Sequence, residues 1–245
     1  MRKPVPQPFG SLAARHGPSR RGFTLLEAAL ATIIIGVGVL AVVEAQMSFL
    51  ARNSWSTNGS TATYLANEIR EMVKRLPRHD RFSGGLYFVN DADPTSFQGW
   101  GPEIDENDPL DLDDLDDFDG AVFGSAAEFP DGFTMSSRYE GPVNAFGQVI
   151  AHTLYDGSTM MLAEDPGDAP EPVALRGWTQ LVEVQKVDPE DYAEPVDDNE
   201  DVREGNVIVR RVDRYPVRVT VTVLWQEEPE DDPRVMTRMS WVAMP

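Results

Sequence analysis

From Phe23 to Val43 the chain runs for 21 residues with a single charged side chain, Glu27. No other feature constrains the fold as much. About 20 consecutive apolar residues suffice to cross a bilayer as a helix. Arg20 and Arg21 stand directly before the run, and Met1 to Gly22 carries five basic residues and no acid. That asymmetry holds the leading end on the cytoplasmic side. The leading end is rich in proline, glycine and arginine and is too polar to pack, so it is expected to stay unfolded. A carboxylate inside an apolar run is costly and marks a functional position.

The block Arg20-Arg21-Gly22-Phe23-Thr24-Leu25-Leu26-Glu27 resembles the signature of the type IV pilin-like family, which includes pilins and type II secretion pseudopilins. The match covers the leader end and the first turns of the apolar run. The resemblance implies cleavage by a prepilin peptidase after Gly22, N-methylation of the new terminus at Phe23, and a requirement for Glu27 in assembly. It implies an α+β, pilin-like fold, with a long N-terminal helix whose first half spans the membrane and whose second half packs on an antiparallel sheet. The protein would be a minor pilin or pseudopilin, a structural subunit of a type IV pilus or type II secretion pseudopilus. It would sit in the inner membrane as a single-pass protein, N-terminus cytoplasmic, with its C-terminal domain periplasmic or displayed on a filament. Its partners would be the peptidase, other pilins or pseudopilins, the inner-membrane assembly platform and the lipid bilayer.

Other readings compete for this segment. A simple signal anchor would give Glu27 no task. A secretory signal peptide needs a 7–15-residue apolar region and a small-residue cleavage site, and Ala41-Val42-Val43-Glu44-Ala45 supplies none. Ser19-Arg20-Arg21-Gly22-Phe23 also looks like a twin-arginine export signal, which would again leave Glu27 unexplained. The functional alternative is a membrane-anchored, exported binding module that does not polymerise.

Beyond the apolar run, Ala62, Leu65, Ile69, Met72, Val73 and Leu76 recur at three- and four-residue steps, marking one apolar helix face. Pro77 ends the pattern. A continuous helix from Phe23 to Leu76 would have about 54 residues and measure roughly 80 Å. The organisation read from the chain is therefore a leader over 1–22, a membrane helix over 23–47, an amphipathic continuation over 48–77, and a β-rich domain with acidic loops over 78–245. Asn58-Gly59-Ser60 interrupts the good helix formers. Gly36 and Gly38 serve either close helix packing or local bending.

The net charge is −20, and without the first 22 residues 16 basic face 41 acidic side chains. Such a surface repels phosphate backbones, so no direct nucleic-acid partner is expected. Residues 91–131 hold 14 acids, and the densest run is Asp111 to Gly120. Clustered aspartates ending in glycine suit calcium, which takes six to eight oxygen ligands. An EF-hand loop is not supported, because Leu115 occupies the first ligand position and Ala126 the twelfth. Two readings stand. One is a looser calcium site drawn from Asp113, Asp116, Asp117 and Asp119. The other is a short turn that buries Leu112, Leu115 and Phe118 and presents a solvated acidic face or a surface for a basic partner.

The C-terminal third reads as sheet. Val217, Val219, Val221, Val223 and Trp225 alternate with polar positions, and Val235, Thr237, Met239, Trp241 and Ala243 follow on the next run, so the two form an antiparallel hairpin. Thr179–Val187 and Asn206–Val212 are expected as further strands of that sheet, joined by an exposed loop over Asp188–Glu204. Leu86–Val89 is a short strand candidate, and Gln148–Tyr155 is expected to pair with Phe133–Tyr139.

No enzyme chemistry is indicated. With no cysteine, thiol catalysis and cysteine-type zinc sites are excluded. His16, His79 and His152 lack metal-ligand spacing, and no nucleophile elbow, phosphate loop or dinucleotide fingerprint occurs.

Overall fold

The computed structural model describes residues 23–79, 100–102, 106–163, 169–198, 200–228 and 230–245. The leader with Gly22 and the strand expected at Leu86–Val89 lie outside these residues. The chain divides into two compact units, Met1–Asn53 and Ser54–Pro245, and the division falls within the helix α1 (Leu25–Val73).

In the first unit α1 is apolar on every side, and none of its most apolar window is buried. It is long and apolar enough to cross a membrane. The helix opens on a reciprocal capping box. Thr24 donates from its backbone N–H (2.9 Å) and its hydroxyl (3.0 Å) to Oε2 of Glu27, whose own N–H donates to Oγ1 of Thr24 at 3.2 Å. At Gly36 and Gly38 the space where a Cβ would stand is open, so neither glycine is required by packing among the described residues.

In the second unit the same helix is amphipathic. Ala62, Leu65, Ala66, Ile69 and Val73 are buried, and Met72 and Leu76 pack against that core. The interruption expected at Asn58-Gly59-Ser60 does not break the helix. The polar side chains there return hydrogen bonds to carbonyls one turn back: Ser60 to Ser56 (3.0 Å), Thr63 to Gly59 (2.9 Å) and Asn67 to Thr63 (2.9 Å).

The sheet comprises β1 (Ala121–Gly124), β2 (Ser137–Tyr139), β5 (Trp178–Lys186), β8 (Val217–Trp225) and β9 (Arg234–Ala243), in the order β2-β1-β5-β8-β9. It is mixed rather than purely antiparallel, because β1 and β2 run parallel. The expected hairpin is present as β8–β9, with a bulge after Val223. The bulge inserts Met236, so Met236 packs on the core whereas Val235 is left 51% exposed.

Three other expectations are corrected. Asn206–Val212 does not join the main sheet. Gly205, at φ 64°, turns the chain so that β6 (Val202–Glu204) pairs with β7 (Val207–Arg210) in a separate hairpin. The loop expected to run to Glu204 therefore ends in a strand. Gln148–Tyr155 pairs not with Phe133–Tyr139 but by single bridges to Val143, Ala174 and Thr159. Asn144 Oδ1 accepts from the amides of Phe146 and Gln148 and folds this segment back locally. Nearby, β3 (Met161–Leu162) and β4 (Glu171–Pro172) form a short two-stranded piece.

Inward-facing Phe123, Tyr139, Trp178, Val182, Val184, Val219, Val221 and Val223 meet the helix stripe in one core. Burying each such side chain contributes about 1.5–3 kcal/mol. The opposite sheet face carries a smaller cluster of Val122, Ala126, Leu181 and Leu224, roofed by Phe129 and Phe133. Gln180 faces the helix from the core side and is fully buried. It donates to the carbonyls of Leu65 (2.8 Å) and Val143 (3.1 Å) and accepts from Val143 N–H (2.8 Å), stitching helix, sheet and loop together.

Candidate functional site

Part of the acidic run is built into the domain, whereas Asp111 and Asp113 are exposed. Leu112, Leu115 and Phe118 are buried as their spacing predicts, but Asp114, Asp116 and Asp117 are buried with them, each 2% exposed or less. The solvated-face reading therefore fails for these three. The reason is local hydrogen bonding around the short 3-10 turn Asp116–Phe118. Asp114 Oδ1 accepts from the amides of Asp116 (3.0 Å) and Asp117 (3.3 Å). Asp117 Oδ2 accepts from those of Asp113 (3.0 Å) and Asp114 (2.9 Å). On one oxygen of each carboxylate, two amide donors take the place of water.

Asp116 turns the other way. Its Oδ1 lies 2.9 Å from Nδ1 of His79, just beyond the helix end, and its Oδ2 accepts from Gly101 N–H at 3.3 Å. Burial pushes Asp116 up to about 7 and His79 down to about 3. The side chains of His79 and Asp116 are only 6% and 3% exposed, so both charges are disfavoured and the contact is a neutral pair between about pH 3 and pH 7. Asp119 faces the sheet, accepting from Val184 N–H (2.8 Å) and Trp100 Nε1–H (3.0 Å), and burial raises its carboxyl.

The Trp100 ring completes the cluster. Lys186 ends β5 with no exposed surface, its ammonium 4.7 Å from the ring centroid and donating to the carbonyl of Asp198. Burial lowers Lys186 to about 8 and raises Asp198 to about 6. Gly120 closes the turn at φ 73°. A Cβ there would stand 2.5 Å from the carbonyl of Thr134, so only glycine fits.

Of the expected calcium ligands, the structure brings Asp116 and Asp117 together with Asp114, and Asp113 and Asp117 together with Glu106; within each trio one ligand atom per residue lies within 4.8 Å of the others. Asp119 belongs to neither group. The donors are hard oxygens, calcium-like in kind, and each trio offers three carboxylates toward the six to eight oxygens that calcium takes. Glu27 and Phe23 are exposed at the start of α1.

Sequence reasoning missed Asp114, Glu106, His79, Trp100 and Lys186. Lys186 left a readable trace, since it falls on the same alternate positions of β5 as Trp178, Val182 and Val184. Comparison with known proteins gives no match to a family model, a curated protein or a solved structure.

Proposed function

We propose that this chain is a minor pilin or pseudopilin, a structural subunit processed after Gly22 and built into a filament through its N-terminal helix. One observation carries the reading beyond the leader motif. A single helix, Leu25–Val73, is apolar and unburied in its first unit and supplies the buried stripe Ala62–Val73 to a sheet core in its second. A membrane-anchored subunit that polymerises by its helix needs both properties in one element. In this reading the first segment lies in the inner membrane and the sheet domain is exported.

Glu27 then has two separable tasks. Its carboxylate caps the helix on Thr24. Its charge offsets the positive amine of a neighbouring subunit's Phe23 and sets the register of helices that otherwise slide in lipid. Because glutamine also serves in a capping box, Glu27→Gln keeps the cap and removes the charge. Co-expression with a prepilin peptidase, followed by mass spectrometry, is expected to show a methylated terminus at Phe23. In sheared filaments Glu27→Gln and Glu27→Leu are expected to be depleted relative to the membrane pool. An intact leader sinks the family assignment, whereas undiminished recovery of both variants removes only Glu27 from the mechanism.

A further inference from the structure

The hairpin β6–β7 combines apolar exposure with a local reversal of charge. Val202, Val207, Ile208 and Val209 are 40%, 64%, 46% and 55% exposed. Residues 202–218 hold five arginines and two acids, whereas 188–201 hold eight acids and no base. Three of these arginines are engaged. Arg203 is clamped to Asp201, Arg218 donates to the carbonyls of Tyr192 and Ala193, and Arg210 lies 5.3 Å from the Tyr215 ring centroid. Two face solvent. Arg211 has no ion pair among the described residues, and Arg214, with a 69% exposed side chain, has only a 3.8 Å contact to Asp213. Arg211 follows directly on β7, and Arg214 closes the short 3-10 turn Val212–Arg214 that comes next.

A two-stranded hairpin is marginal alone, and among the described residues no third strand pairs with either edge of this one. Its β-branched strand offers main-chain donors and acceptors to an added strand, with valine side chains to grip alternate residues. We propose that the outer edge of β7 docks an acidic, extended segment of a partner protein, added as a third strand with its carboxylates against Arg211 and Arg214. Charge complementarity selects such a partner. The inference is independent of the membrane helix and of filament assembly.

The test uses the full chain in detergent and a fluorescent peptide of alternating valine and aspartate, followed by anisotropy. We expect this peptide to bind, and Arg211→Glu with Arg214→Glu to weaken it on the order of tenfold. The paired lysine variant, Arg211→Lys with Arg214→Lys, should retain binding. A valine–lysine peptide should not bind, nor should one of equal negative charge in which prolines replace the valines, since proline cannot join a ladder. Undiminished binding to the glutamate variant overturns the proposal. So does equal binding of the proline peptide, which would mean charge attraction without strand addition. Self-association of the full chain that is lost in the glutamate variant also overturns it, by assigning the edge to a second copy.

Discussion

The two parts of α1 carry similar apolar residues and put them to opposite use. Between Leu25 and Val43 the side chains are exposed around the helix, with Ile33, Ile34 and Ile35 at 66%, 62% and 65%. Between Ala62 and Val73 only one stripe is apolar, and Ala62, Leu65, Ala66, Ile69 and Val73 on it are at most 1% exposed. Hydrophobicity on all sides needs apolar surroundings on all sides, lipid or protein, whereas a single stripe needs one packed partner. The lesson is that the pattern of apolar residues around a helix reports its surroundings better than their number.

The largest effect expected within this contrast is a matched pair of substitutions. Ile69→Ala should lower the stability of the sheet domain by about 2–5 kcal/mol, since a buried isoleucine leaves a cavity. Ile34→Ala, in the first unit, should leave the domain's unfolding midpoint unchanged. Denaturant unfolding followed by tryptophan fluorescence measures both. Equal losses would mean that the first segment is part of the domain's core.

Next in size is Gly120→Ala, expected to cost about 1–3 kcal/mol from backbone strain alone, with the Thr134 contact adding to it. Gly36→Ala, whose Cβ would meet open space, should not destabilise the domain.

The His79–Asp116 pair gives a pH signature. Asp116 is raised from 3.8 to about 7, so its contribution is complete below pH 3.8 and is lost as pH rises toward 7. His79 is lowered from 6.5 to about 3, so its contribution is complete above pH 6.5 and is lost as pH falls toward 3. Between these unfolded-state values the folded chain holds both groups neutral and the unfolded chain holds both charged. The proton counts then match, and the pair makes stability flat with pH. Asp116→Asn should expose the histidine's slope, with stability falling as pH drops below 6.5. His79→Phe should expose the aspartate's slope, with stability falling as pH rises from about 4 to 7. Each amounts to about 1–4 kcal/mol across its window. Lys186, Arg78, Asp213 and Asp117 surround the pair and remain in both variants. Parallel slopes in the two variants would contradict the neutral pair.

The smallest effect concerns the cap. Thr24→Val should reduce helicity at the start of α1, at a cost of about 0.5–2 kcal/mol, with no change in the sheet domain. Amide exchange near Thr24 reads it.

Much of the fold was legible because its signals are periodic. The stripe from Ala62 to Leu76, the alternation of β8 and the length of the apolar run each repeat one rule several times. What escaped was decided by single residues or distant partners. β1 is four buried residues without alternation, and β2 beside it is only three residues long. The bulge at Met236 moves one side chain to the other face without a sign in composition. β7 reads as a sheet strand, yet one turn at Gly205 gives it a local partner. The acidic run misled most. Fourteen acids in a stretch without a base look solvated, but Asp114 and Asp117 are sealed in by their own backbone amides and Asp116 by a histidine 37 positions away. Local hydrogen bonding of this kind leaves no periodic trace.

The central contrast, one helix in two surroundings, is open to a direct test because the chain has no cysteine. Single cysteines placed at Ile33, Leu40, Arg52, Ile69 and Arg70 in the full chain, in native membranes, can be probed with a membrane-impermeant maleimide after opening the outer compartment. We expect labelling at Arg52→Cys and Arg70→Cys, none at Ile69→Cys until the domain is unfolded, and none at Ile33→Cys or Leu40→Cys until the bilayer is dissolved. Prompt labelling of Ile33→Cys and Leu40→Cys in intact membranes would contradict the contrast at its root.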